Sequence, residues 1–221
     1  MLFLFSKFIF FYLKNILVFY NQIQLFCLEI TSSFKYIPSS RLQLLDGIVL
    51  EINEFLNNKK NLNFLFVCTH NSRRSQFANV WAEIAATFYN LNSIKSYSCG
   101  TEKSIVSKNT IQTLKDLGIR IENHPSIPNA FHAFYGKELF IDVFSKKYSD
   151  PTISKEDTIA IMTCSDADQN CPIIPYAKNR ISLNFKDPKR FDNTSSFKME
   201  YQKTGKEIAR EIFYIFSKLK P

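Results

Sequence analysis

A chain of 221 residues with 45% apolar side chains can form one domain with a core plus an appendage, and its few glycines and lack of repeats exclude a fibrous or disordered protein. A net charge of +8 fits an anionic partner, either nucleic acid or a phosphate-like substrate, or simply a solvated basic surface, and the scatter of the basic residues without a long run argues against nucleic acid. Five cysteines at irregular spacing do not make a secreted disulfide framework. No C-x2-C pair occurs and His70, His124 and His132 lack ligand spacing, so no metal is expected and a reduced, cytoplasmic setting fits.

Residues 1–30 hold seven phenylalanines, with Lys7 and Lys14 interrupting the apolar runs. A lysine near mid-span costs roughly 2.5–3.5 kcal/mol on insertion scales, and no small-residue cleavage site follows. The stretch is expected to be an extraneous or poorly ordered hydrophobic leader, ahead of a membrane anchor and then a signal. Membrane contact is expected only if it is native. Residues 35–61 are expected to form an N-terminal helical segment. Within it, Leu45, Ile48, Val49, Ile52, Phe55 and Leu56 make one apolar stripe over 39–58.

The remainder, 62–221, reads as one α/β catalytic domain. "LNFLFVC" (62–68), "SIKSYSCG" (93–100), "TIAIMTC" (158–164) and "NRISLNF" (179–185) read as strands, with "IRIE" (119–122) a further short one. Residues 75–89, 107–118 and 199–219 read as helices, the second starting at Ser107 and stopping at Gly118. Two alternating runs around Gly136, over 130–146, predict a β-hairpin. The fold class is therefore α/β, a three-layer doubly wound parallel sheet with an inserted hairpin and an N-terminal helix.

The chemistry concentrates in "VCTHNSRRS", residues 67–75. A loop from a buried strand to a helix N-terminus is an anion cradle, with backbone N–H groups turned inward and the helix dipole behind them. Thr69, His70, Asn71, Ser72, Arg73 and Arg74 are the expected oxyanion-binding residues, Arg74 gripping two oxygens at once. Such a cradle favours a thiolate at its base, so Cys68 is the expected nucleophile, with the Ser75 hydroxyl donating to it. His70 is expected to shape the loop, and the Asn71 amide to hold its strained backbone.

The C-x5-R-S spacing in this strand–loop–helix context resembles the low-molecular-weight protein tyrosine phosphatase superfamily, and within it most nearly the thioredoxin-coupled arsenate reductases. Two further segments carry the likeness: "MTCSDADQNCP" (162–172), with Cys164 and Cys171 around "SDAD", and "NFKDPKRFD" (184–192). The resemblance spans about 62–219. It implies that Asp187 is the general acid and that no cofactor is bound. It also implies that thioredoxin or a similar thiol donor is the external reductant. Arsenate would oxidise a Cys68–Cys164–Cys171 relay by successive thiol–disulfide exchange. The alternative is a phosphatase acting on phosphate monoesters or phosphoproteins through a Cys68 thiophosphate. A non-catalytic oxyanion-binding or redox-sensing module is the third reading.

The chain departs from the resemblance in places. Lys189 and Arg190 replace the aromatic residues that follow Asp-Pro in the phosphatases, which counts against an aryl substrate. Asn79 stands where some reductases carry a cation-binding glutamate, so that ion is not expected. A helical 164–171 segment would hold its two cysteines roughly 10 Å apart, beyond disulfide reach, so oxidation requires the segment to loop out.

Overall fold

The computed structural model describes residues 18–57, 61–170 and 173–220. Helix α1 (Asn21–Ser32) and helix α2 (Ser39–Asn57) precede strand β1 (Leu62–Cys68). Helix α3 (Arg74–Tyr89), β2 (Ile94–Gly100) and α4 (Lys108–Asp116) follow, and then β3 (Arg120–Asn123), β4 (Phe131–Phe134) and β5 (Phe140–Val143). The chain closes with β6 (Thr158–Met162), α5 (Ser165–Asn170), β7 (Ala177–Ser182), a 3-10 turn (Pro188–Phe191) and α6 (Phe197–Phe216).

The main sheet has the order β2-β1-β6-β7, with every neighbouring pair parallel. Central β1 is buried along its whole length, as a strand covered on both faces must be. Its alternate side chains split the interior. Leu62, Phe64 and Phe66 face the large cluster under α1, α2, α3 and α6, while Leu65 and Val67 face a smaller one. That second cluster contains Cys68, Cys99 and Cys164, with Ile153, Ile174 and Ala167. The long helices thus gather on one side, and α5 with loop segments covers the other.

Two expectations are corrected here. The strand in "IRIE" does not join the parallel sheet. It pairs antiparallel with β4 and makes a separate three-stranded sheet, β3-β4-β5, around the predicted hairpin. Gly136 is needed less for a turn than for close approach: a Cβ there would lie 2.2 Å from the Val18 carbonyl oxygen. Phe19 bridges Gly136, and the Tyr20 N–H donates to the Tyr135 carbonyl at 3.0 Å. Gly118 does end its helix, at φ +102°.

The second correction concerns the leader. Residues 1–17 lie outside the described residues, but 19–30 are part of the fold. Ile23, Phe26, Cys27 and Ile30 are buried, and Phe26 stacks on Trp81 with ring centroids 4.6 Å apart. The reason is amphipathic: Asn21, Gln22 and Leu25 face outward while the i, i+3, i+4 set faces α3 and α6. Arg41 fastens α2 to α6 with two bonds to the buried Glu211, at 2.7 and 2.8 Å, and reaches the Asn184 carbonyl at 3.1 Å. Burial holds the Glu211 carboxyl above its ordinary range despite that partner. Among the described residues, no helix is long and apolar enough to cross a membrane.

A direct check follows from α1. Phe26→Ala should lower urea-unfolding stability by about 3–5 kcal/mol, as for other buried aromatic truncations. Leu25→Ala, at a position 65% exposed, should change it by less than about 0.5 kcal/mol. Equal effects would detach α1 from the core.

Candidate active site

Strand β1 ends one residue beyond its last pairing with β6, so Cys68 stands at the carboxyl edge of the sheet beside Gly100. The chain then turns through 69–73 into α3. Each carbonyl of this turn is held from outside. Cys68 O accepts from Thr101 N at 3.2 Å and Thr69 O from Glu102 N at 2.9 Å. His70 O accepts from the hydroxyls of Ser104 and Ser145, both at 3.0 Å, and Asn71 O from Gln76 Nε2 at 2.9 Å. Ser72 O accepts from Ser107 N and Thr110 Oγ1, each at 3.1 Å, and Arg73 O from Phe77 N at 3.0 Å. In a trans peptide the N–H points opposite the carbonyl, so outward carbonyls leave the amides converging on the enclosed centre.

Asn71 sits at φ +47°, a left-handed conformation that asparagine tolerates. Its buried side chain is fixed at both ends: Oδ1 accepts from Lys146 N at 3.0 Å, and Nδ2 donates to Ser75 Oγ at 2.8 Å. Ser75 Oγ also lies 3.0 Å from Cys68 Sγ, with its own proton free to be donated to a thiolate there. The expected Ser75–Cys68 contact is present, and Asn71 holds the serine in place for it. His70 is half-exposed and faces Glu102 at 3.5 Å on the rim.

Arg74, the first residue of α3, donates to Asp187 Oδ2 at 2.7 Å and to the Phe185 carbonyl at 3.1 Å. Its Nε is buried and has no hydrogen-bond partner among the described residues, which leaves a charged donor for an anion. Asp187 also caps the 3-10 turn by accepting from Lys189 N at 3.0 Å. Arg73 turns away from the cradle: Nε donates to Tyr201 Oη at 2.8 Å and Nη2 to Asp192 at 3.3 Å. The structure thus separates the two arginines that the sequence set side by side.

Cys164 follows β6 on the same sheet edge and is fully buried. Its sulfur lies 3.7 Å from the Thr69 hydroxyl and accepts from Ala167 N at 3.3 Å. Helix α5 is tied to β7 by Asp168, which accepts from Ser182 Oγ at 2.5 Å. Cys171 lies outside the described residues, just past that helix.

Several residues here escaped the sequence reading. Gly100 stands under the cradle: a Cβ would meet Glu102 O at 2.5 Å, Thr69 O at 2.7 Å and Asn71 N at 2.9 Å, all backbone atoms. A glycine closing a predicted strand beside Cys99 was the visible signal. Gln76, Ser104, Ser145 and Lys146 hold the loop from segments far away in sequence, and nothing local marks them. Lys146 is buried, with its ammonium 3.8 Å from the Phe144 ring centroid. Burial pulls its pKa down to about 8. His124, His132 and Asp142, which no spacing in the sequence links, come together with ligand atoms within 4.8 Å. Both Nδ1 atoms are engaged, however. His132 meets Asp142 at 2.7 Å, and His124 accepts from Ser126 N and Ile127 N at 3.1 and 3.0 Å.

Gly100→Ala should abolish oxyanion binding, measured by phosphate titration, because no flexible side chain can yield. The buried lysine has its folded-state pKa below its unfolded one, so the unfolded chain binds more protons between about pH 8 and 10.5. Stability should therefore rise with pH across that window, by up to about 3 kcal/mol, and Lys146→Met should flatten the rise. Urea unfolding at a series of pH values checks both.

Residues 63–208 match the family model described as low molecular weight phosphotyrosine protein phosphatase. The chain is 31% identical over 148 residues to arsenate reductase 2 of Staphylococcus saprophyticus, covering 66% of this chain and 90% of the relative. It is 35% identical over 124 residues to an arsenate reductase of Staphylococcus aureus strain Newman, covering 56% and 76%. A solved structure described as an arsenate reductase in the phosphate binding state covers 72% of this chain and 99% of its own, at 17% identity and a TM-score of 0.48. By the extent of the family match and the identity to these relatives, this chain belongs to the low-molecular-weight phosphotyrosine protein phosphatase family.

Proposed function

We propose that this protein is a cysteine-dependent oxyanion enzyme that reduces arsenate. The observation that carries the reading is the second buried thiol: Cys164 lies within hydrogen-bond reach of Thr69, the residue next to Cys68. A phosphatase needs one thiol in its pocket. A reductase needs a second beside the first, because two electrons must be withdrawn from sulfur.

Cys68 attacks arsenate held by the loop amides and Arg74, and water leaves after a proton transfer from Asp187. Cys164 thiolate then attacks Cys68 Sγ. The Cys68–As bond breaks, arsenite leaves with the electron pair, and the Cys68–Cys164 disulfide forms. Cys171 attacks Cys164, freeing Cys68 and moving the disulfide outward. A thiol donor of the thioredoxin type restores the two thiols. Because Ser165–Asn170 is helical, closing the last bond requires that turn to unwind. The Arg74–Asp187 pair equally suits phosphate-ester hydrolysis, with Asp187 protonating the leaving group, so the same pocket supports the phosphatase alternative.

Full-length protein with thioredoxin, thioredoxin reductase and NADPH should oxidise NADPH in an arsenate-dependent manner. Cys68→Ser, Cys164→Ser and Cys171→Ser should each reduce turnover at least about 10³-fold. Hydrolysis of p-nitrophenyl phosphate unaffected by Cys164→Ser, with no arsenate turnover in the parent, would instead make it a phosphatase.

A further inference from the structure

Asp187 does not hold its place alone. The Phe185–Asp192 segment carrying it meets Arg74 through Asp187 and Arg73 through Asp192. The first contact is exchangeable, since an oxyanion in the cradle competes for the Arg74 fork. The second is not, because Arg73 is itself engaged by Tyr201 and Asp192 is gripped from three segments, while the Arg73 charge also attracts Asp187. Arg73 Nη2 reaches its Oδ2 at 3.3 Å, Asn109 Nδ2 of α4 reaches its Oδ1 at 3.1 Å, and the Tyr201 hydroxyl of α6 donates to Oδ1. Burial first, and Asp192 second, hold the Tyr201 phenol above its ordinary pKa, so it stays a donor. At the other end Phe185 N donates to Thr163 O at 3.1 Å, fixing the segment to the sheet edge. Between these anchors, Pro188 and the 3-10 turn keep the span short and stiff.

We propose that Asp192, clamped by Arg73, Asn109 and Tyr201, is the positioning residue that keeps Asp187 over the cradle once an oxyanion has taken Arg74. The inference rests on Asp187 acting as the proton donor. Arg73 then has a task of its own. It belongs to the binding loop in sequence, yet it couples that loop to the segment bearing the acid. Loop and acid are thereby held in one geometry, as proton transfer to a leaving oxygen requires.

A double-mutant cycle on the full chain tests this, using arsenate turnover or, for the phosphatase alternative, p-nitrophenyl phosphate hydrolysis. Asp187→Asn should lower kcat by roughly 10²-fold or more. Asp192→Asn should lower kcat by roughly tenfold with KM changed less than about threefold, because the oxyanion contacts stay in place. The double variant should be no slower than Asp187→Asn alone, since Asp192 acts only through the acid. Tyr201→Phe, which keeps the Asp192 charge, should show a smaller loss that also disappears in the Asp187→Asn background. It stands in for Asp192→Asn if that variant does not melt as a folded protein. Additive losses, or a raised KM at unchanged kcat, would overturn the positioning role while leaving the acid in place. An Asp187→Asn variant as fast as the parent would remove the acid reading itself, and the inference with it.

Discussion

The constraint on which the site depends is the outward capture of successive carbonyls from Cys68 to Arg73. An anion cradle made of backbone is expensive, because converging amides repel one another and have no partners in the absence of an anion. The protein offsets that cost by fastening the opposite face of each peptide. The partners come from the segment after β2, from α3 and α4, and from the segment after β5. Gly100 is part of the same constraint, since the loop passes closer to it than any side chain allows. The loop's carbonyls are thus held by the protein's own groups, the kind of preorganisation that stabilising a developing charge requires.

The same sheet edge brings the chemistry together. In an open parallel sheet the carboxyl ends of the strands share one rim, and β1 and β6 are neighbours, so Cys68 and Cys164 leave the sheet side by side although 95 residues separate them. The crossover between them contains the small antiparallel sheet, and that insertion is also functional scaffolding. Ser145 and Lys146, just beyond β5, hold His70 O and the Asn71 side chain. The N-terminal helices serve the site less directly. Helix α1 closes the apolar face of α3 and α6, and Arg41 of α2 reaches both the buried Glu211 and the Asn184 carbonyl, three residues before Asp187. Packing against those long helices leaves the opposite face of the sheet, where the cysteines lie, covered by α5 and irregular segments. The short helix α5 packs there through Ala167, against the smaller apolar cluster rather than the main one.

Much of this was legible in the residues. The buried β1 run, the amphipathic α2 and α6, the C-x5-R-S loop and its meeting with a helix start all follow from periodicity and local chemistry, which act over a few residues. Ser75 was readable too, because Cys68 and Asn71 lie within the same loop, whereas the second partner of Asn71, Lys146 N, lies 75 positions away. The misses share a cause. The short strand after α4 has no local sign of direction, and its antiparallel pairing was decided by β4, whose partner residues lie 8 to 14 positions on. The apolar N-terminus looked like a leader because its lysines and crowded phenylalanines fit no single pattern, yet from Phe19 onward the face that matters belongs to α1 and meets Trp81.

The sequence by itself determined that a thiol would stand at a strand end, at the base of a loop opening a helix, with an arginine behind it and the Cys164–Cys171 pair among the cysteines downstream. Those facts depend on neighbours in the chain. Tertiary structure alone decided that Arg74 meets Asp187 while Arg73 meets Tyr201 and Asp192, that Gly100 and Lys146 underlie the loop, and that Asp192 is held by the residue before α3, by α4 and by α6 together. Apart from the Tyr201–Asp192 bond, nine positions apart, each of these is a contact between segments tens to more than a hundred residues apart. Their meeting is fixed by how the sheet orders its strands and how the helices bury their apolar faces, which no short window of sequence records.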